Sequence, residues 1–233
     1  HLSKNSIEES KNIDIQHFKL YNLNLLLNNT SLDNNLFFSK ISDLQFQHEK
    51  GFNISSVNAD LYLDSIKLNL VNLKLKTPNS TFNSDNIILN LDFKNDFLLL
   101  ENMETRLSSI DYNLFFNRQL DTTLKLNFNT HFSGSSSSIK LKDLSLNYQS
   151  SSLEGDFEIQ DFSNENLVSY FFNLESNTIL VNDLISLQEN INLKIPPLAL
   201  KQLKKINNFD FQISGKGNNE EIKSNLEFVR STG

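Results

Sequence analysis

The side chains best suited to catalysis are few and scattered. The four histidines are His1, His17, His48 and His131. None stands two to four residues from another histidine or beside a carboxylate cluster, so none has metal-ligand spacing, and His48-Glu49 is isolated. There is no cysteine, which removes thiol catalysis, disulfides and Cys-ligated zinc. No Gly-x-Ser-x-Gly occurs. Gly215-Lys216-Gly217 is too short to cradle a phosphate and reads as a turn between strands. Asp and Glu are spread along polar positions, so no acid–base pair stands out. These residues describe a non-enzyme that calls for no metal and no cofactor. The chemistry left to the chain is the burial of apolar surface.

That chemistry is concentrated in a pattern of period two. From Ser65 to Ile88 the chain reads SIKLNLVNLKLKTPNSTFNSDNII. Ile66, Leu68 and Leu70 alternate with polar residues, Val71-Asn72 breaks the phase, and Leu73 and Leu75 resume it. Such alternation makes strands with one wet and one apolar face. Because the apolar set must stay on one face, the break predicts a bulge. Thr77-Pro78-Asn79-Ser80 is turn chemistry. Ser138 to Asp156, SIKLKDLSLNYQSSSLEGD, repeats the pattern, with its own break at Lys142-Asp143. Matching Ile66 to Ile139 and Leu73 to Leu144 gives offsets of 73 and 71 residues. A third, poorer copy runs from Glu221 to Val229. No copy closes on itself, which points to a repeat array.

The elements that carry this pattern are mostly strands. The chain has 233 residues, 38% hydrophobic, with only 6 Gly and 3 Pro, and Asn at roughly one residue in seven takes over the turns. Residues 1–11 read as a loose leader and 12–233 as a single elongated segment. Spacing predicts about ten to thirteen strands. Short helices are expected over residues 112–116, 182–188 and 196–205, the last opening on Pro and closing on Lys. The net charge of −7 with dispersed basic residues argues against nucleic acid. No apolar run of 18 residues exists, so no helix is expected to span a membrane. The opening and closing residues suggest a section of a longer protein.

In its order of signals the chain resembles the repeat region of TamB-type proteins, the AsmA-like translocation-and-assembly proteins. The residues that carry the resemblance are Lys50-Gly51-Phe52, Val71 to Ser80, Ile139 to Tyr148 with Leu153 to Phe157, Asp183-Leu184, Ile195-Pro196-Pro197-Leu198 and Phe209 to Gly217. They cover about residues 40 to 228. The segment after Ser109 is shorter than the family's, and glycines and prolines near Phe162 and Leu203 are missing. The resemblance implies a periplasmic section of an inner-membrane-anchored bridge. Its partners would be phospholipid, an outer-membrane barrel protein, and further repeats of its own chain at both ends.

A sheet with one apolar face must cover it. Packing on a second sheet gives a sandwich, the plainer expectation from composition alone. Curling a long twisted antiparallel sheet on itself gives an open trough, which the scarcity of helix and the resemblance favour. The lining of such a trough would be Ile66, Leu68, Leu73, Leu75, Leu89, Leu91, Leu124, Leu126, Phe128, Ile139, Leu141, Leu144, Leu146, Phe157, Phe209, Phe211 and Ile213, with acyl chains lying on it. Three functions follow: a lipid conduit, a scaffold that offers free strand edges to unfolded barrel strands, or a surface sandwich with a solid core.

Overall fold

The computed structural model describes residues 19–49, 51–91, 97–116, 125–163, 167–191, 201–218 and 220–229. Thirteen strands form one antiparallel sheet. They are β1 (Leu20–Asp33), β2 (Leu36–His48), β3 (Asn53–Ile54), β4 (Ser56–Leu63), β5 (Lys67–Lys76), β6 (Thr81–Asn90), β7 (Leu98–Ser108), β8 (Lys125–Gly134), β9 (Ile139–Tyr148), β10 (Ser151–Gln160), β11 (Ser169–Leu180), β12 (Asn208–Asn218) and β13 (Ile222–Val229). Twelve follow one another in chain order, and β3 pairs with β2 beside that path. The sheet is not closed, because β1 and β13 stand at opposite edges. Helix α1 (Ser109–Phe116) lies between β7 and β8, and α2 (Val181–Ile191) between β11 and β12. Residues 201–203 are helical as well.

There is one layer and no sandwich. The largest fully buried side chains among the described residues are two serines, Ser39 and Ser109. A sheet packed on a second sheet would bury Leu and Phe to that degree. Cover comes instead from curling. Bulges are aligned on alternate strands: Asn72 in β5, Asn102 in β7 and Asp143 in β9 have φ of 54°, 47° and 51°. The pairing of β2 also slips at this level, opposite Leu26–Leu27, whereas that of β11 slips nearer one rim, between Ser176 and Ile179. Each bulge bends its strand and adds twist, so bulges in register lay a crease across the sheet. On the apolar side of the crease Ala59, Leu73, Ser84, Met103 and Thr130 are buried. On the other side Asn72, Asp85, Asn102 and Asp143 are exposed. The sheet is therefore concave towards its apolar face.

The bulges also keep the apolar residues together. Before the break Leu68 and Leu70 pair with Leu63 and Leu61, and after it Leu75 pairs with Val57. The parity of the sequence changes at Asn72 and the face does not. The same holds in β9, where Ile139 and Leu141 precede Asp143 and Leu144 and Leu146 follow it.

The repeat is a unit of four strands and one helix, β5 to β8 with α1 and β9 to β12 with α2, and β13 opens a third. Over its first two strands the offset is constant. Leu68, Leu70, Asn72, Leu73, Leu75, Phe82 and Asp85 stand 71 positions before Ile139, Leu141, Asp143, Leu144, Leu146, Leu153 and Asp156. The 73-residue match of Ile66 to Ile139 does not hold. Ile66 sits in the turn between β4 and β5, where Asp64 Oδ1 accepts the N–H of Ile66 and of Lys67, each at 2.8 Å.

A staple at one rim recurs with the unit. Ser80 Oγ accepts the N–H of Ser108 at 3.0 Å and donates to Asp111 at 2.5 Å. Ser151 Oγ accepts the N–H of Leu180 at 2.9 Å and donates to Asp183 at 2.8 Å. Asp111 also accepts from Thr77 and Asn79, and Asp183 from the N–H of Ser150. Each aspartate lies in the first turn of its helix, where the dipole favours negative charge. It thereby ties a helix to the turn of the preceding hairpin.

Gly215-Lys216-Gly217 is not a turn but part of β12. A Cβ on Gly215 would meet the Phe172 ring at 2.5 Å, and one on Gly217 the carbonyl of Glu221 at 2.3 Å. These glycines serve close packing, and the N–H of Asn218, beyond them, donates to the carbonyl of Glu221 at 2.9 Å. Gly155, in β10, has φ +135°, and a Cβ there would lie 2.0 Å from the carbonyl oxygen of Asn173. Gly155→Ala is expected to cost on the order of 3 kcal/mol, since strain and a backbone clash add. Ser84→Ala, at the equivalent position of β6, removes one hydrogen bond and should cost about 1 kcal/mol. Denaturant midpoints of the two variants measure the difference.

Candidate functional site: an apolar trough

Cross-strand registers assemble the apolar residues into rows that run across the strands. One row is Val57, Leu75, Phe82, Thr105, Phe128, Leu146 and Leu153. Another is Leu61, Leu70, Ile87, Leu100, Phe132, Leu141, Phe157 and Phe172. At about 4.8 Å per strand these rows, over seven and eight strands, are about 29 and 34 Å long, and the whole twelve-strand path is about 53 Å across. Most of these side chains are half-buried, facing an unroofed concavity.

Of the residues expected to line the trough, Leu68, Leu73, Leu75, Leu89, Leu126, Phe128, Ile139, Leu141, Leu144, Leu146, Phe157, Phe209, Phe211 and Ile213 lie on this face. Leu73 is buried in a cluster with Phe52, Ile54, Val57 and Ala59. Leu91 lies at the turn after β6, at the rim. Ile66 does not belong to the lining: it is 62% exposed on its turn. Leu124 lies outside the described residues. Sequence patterning missed Leu70, Ile87, Leu100, Met103, Phe132 and Phe172. Leu70 belongs to the same alternation as Leu68 and is absent only from the expected lining, and Leu100 hides in the run Leu98-Leu99-Leu100.

The floor of the crease carries small residues opposite the bulges. Ser84 Oγ donates to the carbonyl of Glu101 at 2.8 Å, and Thr130 Oγ1 to that of Lys142 at 2.9 Å. These hydroxyls satisfy carbonyls that the bulges take out of the ladder. The floor thus stays apolar in outline although it contains Ser and Thr.

Behind the crease the convex face is polar and holds the bulges. Asp85 accepts from Asn102 Nδ2 at 2.5 Å. Asp156 accepts the N–H of Asp143 at 3.0 Å and pairs with Lys142 Nζ at 3.2 Å. Burial pushes the Asp156 carboxyl up. The Asp143 amide, Lys142 and Lys140 together outweigh it and hold the group below its usual range. A depressed carboxyl stabilises the fold above its unfolded pKa, and that contribution is lost as pH falls through the folded value. The stability difference between wild type and Asp156→Asn should therefore be constant at neutral pH and vanish only below the ordinary aspartate range. Amide exchange at Asp143 followed against pH reads the same release.

A depression of about 610 Å³ at the corner of β10 to β13 is lined by Glu158, Tyr170, Phe171, Lys216 and Lys223. Lys140 and Glu158 pair beside it at 3.5 Å. Its mixed charge and its place on the polar face separate it from the trough. Among the described residues no group of three or more His, Cys, Asp or Glu is placed to hold a metal ion, and no helix is long and apolar enough to cross a membrane. No family model, curated protein or solved structure matches the chain.

Proposed function

We propose that the concave face binds the acyl chains of phospholipids and that the chain is one section of a periplasmic lipid conduit between inner and outer membrane. The observation that carries this reading is a continuous apolar face with no second layer on it. Each methylene taken from water contributes about 0.8 kcal/mol, so a 16-carbon chain gains on the order of 10 kcal/mol before ordering costs. The rows supply this uniformly along their length, without a charged gate, which suits passage rather than storage. The resemblance to TamB-type proteins supports the same reading. It adds an anchored parent protein, an outer-membrane barrel partner and further repeats that lengthen the trough. A photoreactive residue at Leu141, in the trough, is expected to capture phospholipid in cells, and one at Lys140, on the convex face, is not. Equal capture at both positions, or at neither, would remove the reading.

A second reading is favoured by the edges. Seven large apolar residues of β1 are exposed, including Leu23 at 58% and Leu32 at 74%. Such an edge suits a scaffold that pairs with unfolded barrel strands. Lysine substitution along β1 impairs a scaffold and leaves phospholipid capture at Leu141 in place.

A further inference from the structure

The two edges of the sheet complement each other. Eleven antiparallel pairings separate β1 from β13, so the two strands run in opposite directions. A β1 laid against the β13 of another copy is therefore antiparallel. The four-strand period also continues across that junction. β13 stands in the place of β5 and β9, alone after the second unit, while β1, β2 and β4 precede the first. Together they supply the four strands of one unit, with β3 where the other units carry a helix.

The rows agree as well. One convex row runs without a break from Ser31 of β1, through Phe38, Ile88 and Lys140, to Lys223 of β13. Continued into a second copy, it sets Lys223 opposite Ser31 and diagonal to Asp33, within reach of a lysine. Among the described residues neither edge has a second neighbour, and both expose apolar side chains, with Leu226 at 46% and Phe228 at 65% on β13. The bulges of β1 are no obstacle, since β5, β7 and β9 carry bulges and pair on both sides.

We infer that copies of this chain join end to end through β13 of one and β1 of the next. The contact is heterologous and does not close, so it extends the trough in trans as further repeats would in cis. It holds whatever the trough carries.

Sedimentation velocity on the 233-residue protein tests this with two variants. Leu226→Lys with Phe228→Lys blocks β13, and Leu23→Lys with Leu25→Lys blocks β1. All four positions are exposed, so folding is preserved, which circular dichroism checks. The wild type is expected to grow past two copies as concentration rises. Each variant alone should stay at one copy. An equal mixture should reach two copies and stop, because one good β1 and one good β13 remain. In a milder pair, Lys223→Glu should weaken association and Asp33→Lys in the same chain should restore it. A wild type that stays at one copy throughout overturns the inference. So does self-association of either edge variant at wild-type strength, which would mean that like edges pair.

Discussion

Leu75→Asp and Leu146→Asp proteins are expected to purify folded and to carry about a hundredfold less phospholipid than the wild type. Both residues lie half-buried in one row of the trough. A carboxylate there stays in water when the trough is empty and must be covered when a chain lies on it. Losing the contact of about four methylenes removes about 3 kcal/mol, which is the hundredfold. Leu73→Asp is the informative contrast. Leu73 is 6% exposed and packed among Phe52, Ile54, Val57 and Ala59, so its replacement buries a charge and should unfold the first part of the sheet. Lipid extraction with mass spectrometry, beside circular dichroism, separates the outcomes. If Leu75→Asp and Leu146→Asp unfold as Leu73→Asp does, the face is core and not a binding surface.

Removing residues 76–146 should leave a folded, shorter protein. The cut joins Leu75 of β5 to Asn147 of β9, which takes the place of Lys76 under the 71-residue offset. The hybrid strand keeps the pairing of β5 with β4 and of β9 with β10. Four strands leave the path, and the trough shortens by about 19 Å. The staple of Ser151 and Asp183 is untouched. Removing residues 76–111 instead fuses β5 to the middle of α1 and should abolish folding. A dispersed amide spectrum for the first deletion and its collapse for the second is the expected result. Collapse of both would show that the units are not interchangeable.

Much of this architecture was legible because of how bulges act on sequence. At Val71-Asn72 and Lys142-Asp143 the alternation changes parity, and only a bulge keeps the apolar set on one face. At Glu101-Asn102 the same device was hidden, because Leu98, Leu99 and Leu100 are all apolar and parity cannot be read from them. The small residues at the crease carry no local signature, since Ser84 and Thr130 are ordinary polar residues until strand pairing sets them against a bulged carbonyl. The staples were invisible for the same reason: Asp111 and Ser80 are 31 residues apart, and Asp183 and Ser151 are 32. Ile66 and the 215–217 glycines misled in opposite ways. The first extends an alternation into a turn, and the second place turn residues within a strand.

The single layer has a thermodynamic corollary. The extensive strand-to-strand contacts all lie between neighbours on the path, and the staples join each helix to a hairpin of its own unit. Free energy is then a sum of local terms and nearest-neighbour couplings, as in a one-dimensional chain of switches. Such a body has no single melting point. Its ends fray first, β1 and β13 opening while the central units persist, and unfolding advances inward as a front. A strand lost at one end costs the other end nothing. The protein can therefore yield at a terminus, under heat or under load, and re-form that terminus on a template that never came apart.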